Sequence, residues 1–251
     1  MVERRGSMAG KRAIFSWCLY DWANSAFATV VMAGFFPVFF KDYWNAGLDP
    51  VDSTVLLGVA TSLDSLLIVL LAPLLGAVAD RLARRKAMLL AFALLGSLMT
   101  AGLYLVGQGE WQLAMFFYVF AMIGFSGSNI FYDSLLPFVS HDRDMDRTSA
   151  LGFSLGYLGG GLLLSLNVGM VWHPEWFGLA DPASAVRASF LVVAAWWLLF
   201  STPLFLLVEE PGGDGSVLSV QVLLAGFQRI WRTLHEVRQL QNIWLFLVSY
   251  W

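Results

Sequence analysis

Residues that carry redox, metal or hydrolytic chemistry are scarce in this 251-residue sequence. The single cysteine, Cys18, excludes a disulfide framework and a thiolate metal site. The three histidines lie outside the long apolar runs, whereas a membrane haem protein or an intramembrane protease needs a histidine within them. No Gly-x-x-x-x-Gly-Lys-Ser/Thr phosphate loop occurs, so the chain has no ATPase of its own. We therefore expect neither an enzyme nor a protein that holds a cofactor or a metal.

Charged residues are also scarce, and much of the sequence consists of long hydrophobic runs. Charged residues make up 13% of the sequence and hydrophobic residues 58%, with a mean hydropathy of +0.68. Six apolar runs each reach the roughly 20 residues that cross about 30 Å of hydrocarbon as a helix. They are residues 13–40, 54–79, 87–106, 111–137, 149–171 and 188–208. We predict an all-α membrane protein with six transmembrane helices in the bilayer.

The basic residues are distributed unevenly between the two sides of these six runs. Thirteen of the 15 lysines and arginines fall on one side, and only Lys41 and Arg187 fall on the other. Cytoplasmic connections carry the excess of Lys and Arg in membrane proteins. The N-terminal segment 1–12 is therefore expected to be cytoplasmic, in a multi-pass protein of the bacterial inner membrane. Topology accounts for the basic loops, so we expect no nucleic-acid partner.

The sequence changes character after the sixth run. Residues 209–241 begin with a polar, glycine-rich linker and continue as an amphipathic pattern, which predicts a cytoplasmic helix on the membrane surface or under the bundle. Residues 242–251 resume an apolar pattern but are too short to span a bilayer. We expect this to be the start of a seventh span, and 13–208 to be the six-span half of a longer protein.

Three carboxylates lie inside the apolar runs without a basic partner in sequence, namely Asp21, Asp64 and Asp133. A charged side chain at the centre of a spanning helix costs roughly 2.5–3.5 kcal/mol on insertion scales, so such residues face a cavity or the bundle interior. Asn24 and Asn129 share helical faces with Asp21 and Asp133. These five residues are candidates for a substrate or proton pathway. The alternative is interhelical hydrogen bonding by protonated or water-linked acids.

Gly152, Gly156 and Gly160 recur every four residues in the fifth run. Small residues at this spacing let helix backbones approach closely, so the stripe predicts helix packing. The stripe is also compatible with a surface that awaits a helix from another half of the protein.

The connection between the second and third runs reads Gly-Ala-Val-Ala-Asp-Arg-Leu-Ala-Arg-Arg-Lys from Gly76 to Lys86. It resembles the signature loop of the major facilitator superfamily, with Ala83 where a second glycine is usual. Asp80 can pair with Arg84 or Arg85 at the helix end to form a cytoplasmic latch. The resemblance implies that this gating loop, Gly76, Asp80, Arg81, Arg84 and Arg85, helps to hold one access state closed.

Three further motifs are similar to those of one branch of that superfamily. They are Tyr-Asp-Trp-Ala-Asn-Ser-Ala-Phe from Tyr20, Tyr-Asp-Ser-Leu-Leu-Pro from Tyr132, and Gly-Tyr-Leu-Gly-Gly from Gly156. The chain resembles the Unknown Major Facilitator family, related to the fungal vacuolar amino-acid effluxers. That family has twelve spans in two six-helix halves, so the resemblance implies that this chain is the N-terminal half.

We expect proton-coupled secondary transport of a small solute by alternating access. The resemblance implies that the substrates are amino acids and that the direction of transport is efflux. Two six-span halves that rock about a midplane site make such a transporter, so the missing half or a second copy is the expected partner. The alternative is a non-transporting scaffold or assembly subunit that keeps the same fold. The unpaired acids within the spans favour transport, since a scaffold gains nothing from their cost.

Overall fold

A computed structural model describes residues 2–47, 50–82, 84–210 and 235 of the chain. Six long helices account for most of these residues, and no strand occurs among them. The first runs from Val2–Ala26 through a π-helical segment, Phe27–Phe35, a short α-helical piece, Phe36–Phe39, and a second π-helical segment, Phe40–Trp44. The others are Pro50–Leu82, Arg85–Gly102 with a 3-10 turn at Leu103–Leu105, Trp111–Val139, Met145–Trp172 and Pro182–Leu207.

All six helices contain a segment long and apolar enough to cross a membrane. This confirms the prediction of an all-α membrane protein with six spans. The first helix begins at Val2, so residues 2–12 are continuous with the first span. The predicted amphipathic helix and the start of a seventh span lie outside the described residues, apart from Glu209, Glu210 and His235.

The sixth helix starts earlier than its apolar run, because its first turn is well capped. Asp181 accepts a hydrogen bond from the Ser184 backbone N–H at 2.7 Å, and Ser184 Oγ accepts one from the Asp181 N–H. This capping box, followed by Pro182, satisfies amides that have no partner within the helix. The apolar run 188–208 therefore misses the first turns of the sixth helix. Arg187 lies within the helix, and its Nε donates to the Tyr104 carbonyl oxygen at 2.9 Å.

The hydrogen bond from the Ser184 N–H lowers the pKa of Asp181. Because this pKa is lowered in the folded protein, the cap stabilises the helix start above the ordinary carboxyl pKa, and that contribution is lost as the pH falls. Lys41 is also helical, since the first helix continues to Trp44 instead of ending at the apolar boundary.

The first helix lies at the centre of the bundle. It packs mainly against the fifth and sixth helices, while the third packs against the fourth and the sixth and the second lies beside the fourth. The fourth and fifth helices make few contacts with each other. The core is strongly aromatic, with Phe27 against both Phe125 and Trp197, and Phe36 stacked on Tyr118 at a centroid distance of 3.7 Å.

The third and fourth helices approach each other closely at Gly96 and Gly124. A Cβ atom on Gly124 would overlap the backbone nitrogen and Cα of Gly96, and it would lie 2.8 Å from the Phe92 carbonyl oxygen. A Cβ atom on Gly96 would lie 2.5 Å from the Trp197 ring. Both positions need glycine because a neighbouring helix occupies the space that a side chain would take.

Candidate functional site

A cavity of about 330 Å³ opens between the first, fourth and fifth helices. The fourth and fifth helices make few contacts with each other, and side chains of the first helix line the cavity between them. Asp21, Asn24, Asn129 and Asp133 all line this cavity. Four of the five residues predicted for a substrate or proton pathway are thus brought together. The fifth, Asp64, lies on the second helix, and its side chain is outside the described part of the structure.

The polar side chains of the cavity are connected by hydrogen bonds. Asn24, only 2% exposed, donates from Nδ2 to Asn129 Oδ1 and thereby joins the first helix to the fourth. Ser25 Oγ donates to Asp21 Oδ1 at 3.2 Å, and Thr29 Oγ1 donates to the Ser25 carbonyl oxygen at 2.8 Å. Asp21 therefore has one hydroxyl partner and retains further lone pairs for a proton or a ligand.

Aromatic side chains form the rest of the wall. Trp17 stacks on Tyr132 with ring centroids 4.2 Å apart, and its Nε1 donates to the Tyr132 carbonyl oxygen at 3.0 Å. Tyr132 is 5% exposed, and its hydroxyl has no hydrogen-bond partner among the described residues. Buried polar groups without a partner are rare in native proteins, so this hydroxyl marks a place for water or a ligand. The hydrophobic pattern does not single out Trp17, and Tyr132 is signalled only by the motif that contains it.

The cavity lies beside the change from α-helix to π-helix in the first helix. Asp21, Asn24 and Ser25 belong to the α-helical part, whereas Ala28 and Thr29 belong to the π-helical segment Phe27–Phe35. π-Helical turns occur frequently at functional sites, because the wider turn re-aims the side chains that follow it. The hydrophobic pattern does not predict the change from α-helix to π-helix, since both kinds of helix bury similar residues.

The glycine stripe of the fifth helix faces the first helix. A Cβ atom on Gly152 would lie 2.9 Å from the Trp17 ring, and one on Gly156 would lie 2.6 Å from Ser25 Oγ and 3.1 Å from the Asp21 carboxyl. A Cβ atom on Gly160 would overlap Thr29 Oγ1. The hypothesis that the stripe awaits a helix from another half is therefore wrong, because the first helix of this chain already occupies it.

The gating loop is described in part. Gly76 and Asp80 lie on the second helix, as does Arg81, but the side chains of Asp80 and Arg81 are outside the described part. The predicted pairing of Asp80 with Arg84 or Arg85 therefore stays a prediction. Arg84 precedes the third helix as its N-cap residue, and Arg85 opens that helix.

Arg85 instead reveals a partner that the sequence pattern does not indicate. The Glu210 carboxylate, just beyond the sixth helix, accepts hydrogen bonds from the backbone N–H groups of Arg85 and Lys86, the second at 3.2 Å. It also lies 3.8 Å from the Arg85 guanidinium, and Lys86 Nζ donates to the Val208 carbonyl oxygen at 2.6 Å. A carboxylate at a helix N-terminus satisfies unpaired amides and complements the helix dipole. Glu210 thus fastens the end of the sixth helix to the start of the third.

We expect Glu210→Ala to loosen the start of the third helix by roughly 0.5–2 kcal/mol, the usual cost of losing an N-cap carboxylate. Hydrogen exchange of the amides of residues 85–88, followed by mass spectrometry, should become faster in this variant. Glu209→Ala is the matched control, because it removes the exposed neighbouring carboxylate. Equal exchange in the two variants would show that Glu210 does not hold the helix start.

Comparison with known proteins places these features in a family. A family model described as "Vacuole effluxer Atg22 like" matches residues 49–251, which include the fourth- and fifth-helix motifs. An "Uncharacterized MFS-type transporter YxiO" of Bacillus subtilis (strain 168) is 33% identical over 245 residues, 94% of this chain and 55% of the relative. "Autophagy-related protein 22" of Eremothecium gossypii is 23% identical over 294 residues, 98% of this chain and 57% of the relative.

An uncharacterized protein of Aquifex aeolicus is 26% identical over 196 residues, 78% of this chain and 45% of the relative. The chain thus spans about half the length of the curated relatives it matches. No solved structure gives a significant match. The family's description as a vacuole effluxer and the Bacillus subtilis relative's name are those of transporters and not of enzymes, as the sequence predicts. The chain belongs to the Atg22-like vacuole effluxer family, within the transporters of the major facilitator superfamily.

Proposed function

We propose that the protein is a secondary transporter that moves a small solute through the cavity between the first, fourth and fifth helices. The observation that carries this proposal is the convergence of Asp21, Asp133 and the hydrogen-bonded Asn24–Asn129 pair on one cavity within apolar helices. Intramembrane acids are costly and mark ion, proton or substrate pathways. The relatives' names, an MFS-type transporter and a vacuole effluxer, support the same function.

Alternating access requires a second wall for this cavity. Phe153 and Tyr157 line it, yet they are 62% and 81% exposed, so the cavity is incomplete on the side of the fifth helix. A second six-span half, or a second copy of this chain, would cover these aromatic side chains and enclose the solute. Rocking of two such halves about a midplane site would then expose the cavity to each side in turn.

Proton coupling is assigned to Asp21. Its carboxyl group is partly buried and accepts a hydrogen bond from the Ser25 hydroxyl. A carboxyl group that gains a proton from one side of the membrane and loses it to the other can drive a solute against its gradient. Asp133, the second acid, lines the same cavity. The family's description as vacuole effluxers supports efflux as the direction. The resemblance of the motifs to those of fungal vacuolar amino-acid effluxers extends the proposal to amino acids as substrates.

A non-transporting scaffold has less support, because a protein that only occupies the bilayer needs neither a polar cavity nor acids within it.

The test is transport into inside-out membrane vesicles from cells that express the protein. We expect labelled leucine, or another solute from a panel of amino acids and amines, to accumulate when the vesicle interior is acidic. Accumulation should collapse with a protonophore and be absent from vesicles without the protein. A panel in which no solute shows protein-dependent accumulation would contradict the proposal.

We further propose that the protein lies in the bacterial inner membrane with its N-terminus in the cytoplasm, as the 13 basic residues on one side indicate. Single cysteines at Ser7 and Asp144 should then react with a membrane-impermeant maleimide only after the cells are permeabilised. A cysteine at Ala46, an exposed residue between the first and second helices, should react in intact cells. The native Cys18 is buried and should give little background. Labelling of Ser7→Cys in intact cells would invert the topology.

A further inference from the structure

We propose that the cavity contains a subsite for a protonated amine, formed by Asp21, Asp133 and the aromatic wall, and that its described lining residues provide only neutral partners for a carboxylate. The inference deepens the proposed transport function, because it names the chemical class that the cavity selects. Binding to the purified protein can be measured whether or not transport is observed, so the two proposals can fail separately.

The charges of the cavity define the first part of the argument. Two carboxyl groups line it, and none of the described side chains that line it belongs to lysine, arginine or histidine. A cationic group entering the cavity would pair with an acid, whereas an anion would meet two acids without a compensating charge. Electrostatic complementarity of this kind discriminates against like-charged ligands by several kcal/mol. The cavity therefore favours cations over anions.

The aromatic side chains define the shape of the cation. Trp17 stacks on Tyr132, and Phe125, Phe153 and Tyr157 line the same cavity. An ammonium group is attracted to the faces of aromatic rings, most strongly to tryptophan, and the attraction increases where water is excluded. Apolar carbon attached to the ammonium group would pack against the remaining ring faces. An organic amine with an aliphatic or aromatic tail therefore fits better than an inorganic cation.

The Tyr132 hydroxyl is the second, independent sign of a ligand. It belongs to a residue only 5% exposed that lines the cavity, and it has no partner among the described residues. A primary ammonium group has three N–H donors, more than Asp21 and Asp133 need if each accepts one. The Tyr132 oxygen is an acceptor for the third. The subsite thus has an acceptor for each ammonium hydrogen.

None of the described lining residues is cationic, and this determines how the cavity's affinity for an amine compares with its affinity for an amino acid. The chain's own cavity has only hydroxyl and amide groups for the carboxylate of an amino acid, among them Thr29 and Ser149. Neutral hydrogen bonds are about half as strong as charge-assisted ones. Removing the carboxylate from an amino acid should therefore cost little affinity or increase it, whereas removing the amine should abolish binding.

Three ligands with the same branched carbon skeleton make the test. They are 3-methylbutylamine, which carries only the amine, leucine, which carries the amine and the carboxylate, and 4-methylpentanoate, which carries only the carboxylate. Binding to the purified protein in nanodiscs is measured by calorimetry, with quenching of tryptophan fluorescence as a second signal. We expect the amine to bind at least as tightly as leucine and the carboxylate to show no saturable binding.

Asp21→Asn should weaken amine binding by about 30-fold or more, as expected when one partner of a buried charge pair is removed. Tyr132→Phe keeps the ring and should weaken it several-fold. Asp146→Asn is the control, because it removes an exposed carboxylate outside the cavity. If Asp21→Asn fails to fold by circular dichroism, Tyr132→Phe still tests the subsite.

The possible outcomes separate the two proposals. Amine binding that depends on Asp21 or Tyr132, with no transport in vesicles, would support the subsite and contradict the transport function. Transport with saturable binding of 4-methylpentanoate, or with amine binding unchanged in these variants, would overturn the subsite. If none of the three ligands binds, the subsite is also overturned.

Discussion

Asp21→Asn is expected to reduce pH-gradient-driven accumulation in inside-out vesicles to the background of vesicles without the protein. Asparagine matches aspartate in shape and can still accept the hydrogen bond from Ser25, so the helices around the cavity should stay packed. It cannot, however, gain and lose a proton, which is the step that couples the pH gradient to the solute. The measurement is the initial rate and the final level of labelled solute, normalised to the amount of protein in the vesicles.

Two further variants make this result specific. Asp21→Glu restores a carboxyl group at a slightly different depth and should recover part of the accumulation. Asp146→Asn, at the exposed start of the fifth helix, should leave accumulation unchanged. If Asp21→Asn keeps full gradient-driven accumulation, Asp21 has a structural role, and Asp133 or Asp64 becomes the next candidate for the coupling residue.

Gly124→Ala, outside the cavity, should cause a substantial loss of stability. The added methyl group would overlap the backbone of Gly96, and neither backbone can rotate away as a side chain could. Overpacking of a well-packed interior typically costs about 1–3 kcal/mol and occasionally more. The third and fourth helices would have to move apart, which should lower the free energy of unfolding in a titration with a denaturing detergent.

Gly169→Ala is the matched control for this substitution. Gly169 also lies within a spanning helix, but a Cβ atom there would meet no heavy atom within 4 Å. Alanine in a helix is favoured over glycine by roughly 0.5–1 kcal/mol, so this variant should be as stable as the original protein or slightly more stable. Equal stability of Gly124→Ala and Gly169→Ala would mean that the third and fourth helices can separate at their crossing without cost.

The sequence predicts the six spans well because the membrane imposes a length and an apolar character on each one. It also predicts four residues that meet in the cavity, since acids and amides are too costly in lipid to point anywhere else. The helix ends are less predictable. Residues 182–187 are helical, but Arg187 separates them from the continuous apolar run, so the capping box at Asp181 is the signal of the true start.

Contacts between distant parts of the chain could not be predicted from the sequence. Glu210 caps the third helix across 125 residues, and neither segment carries a pattern that specifies the other. Likewise, the spacing of Gly152, Gly156 and Gly160 indicates a close helix approach without saying which helix approaches. The first helix does so, which also places Trp17 against Tyr132 and creates the aromatic wall.

The glycine contact between the first and fifth helices also determines which parts of the bundle can move independently. Ring, hydroxyl and carboxyl groups of the first helix fill the glycine surface of the fifth, so these two helices can separate only by giving up that whole interface. The fourth helix makes few contacts with the fifth, and across the cavity it holds the first by the Asn24–Asn129 hydrogen bond. The cavity is therefore bounded by one rigid pair of helices and one adjustable wall. A solute of larger volume would be accommodated by displacement of the fourth helix, which would have to stretch two hydrogen bonds to the first helix, Asn24–Asn129 and Trp17–Tyr132.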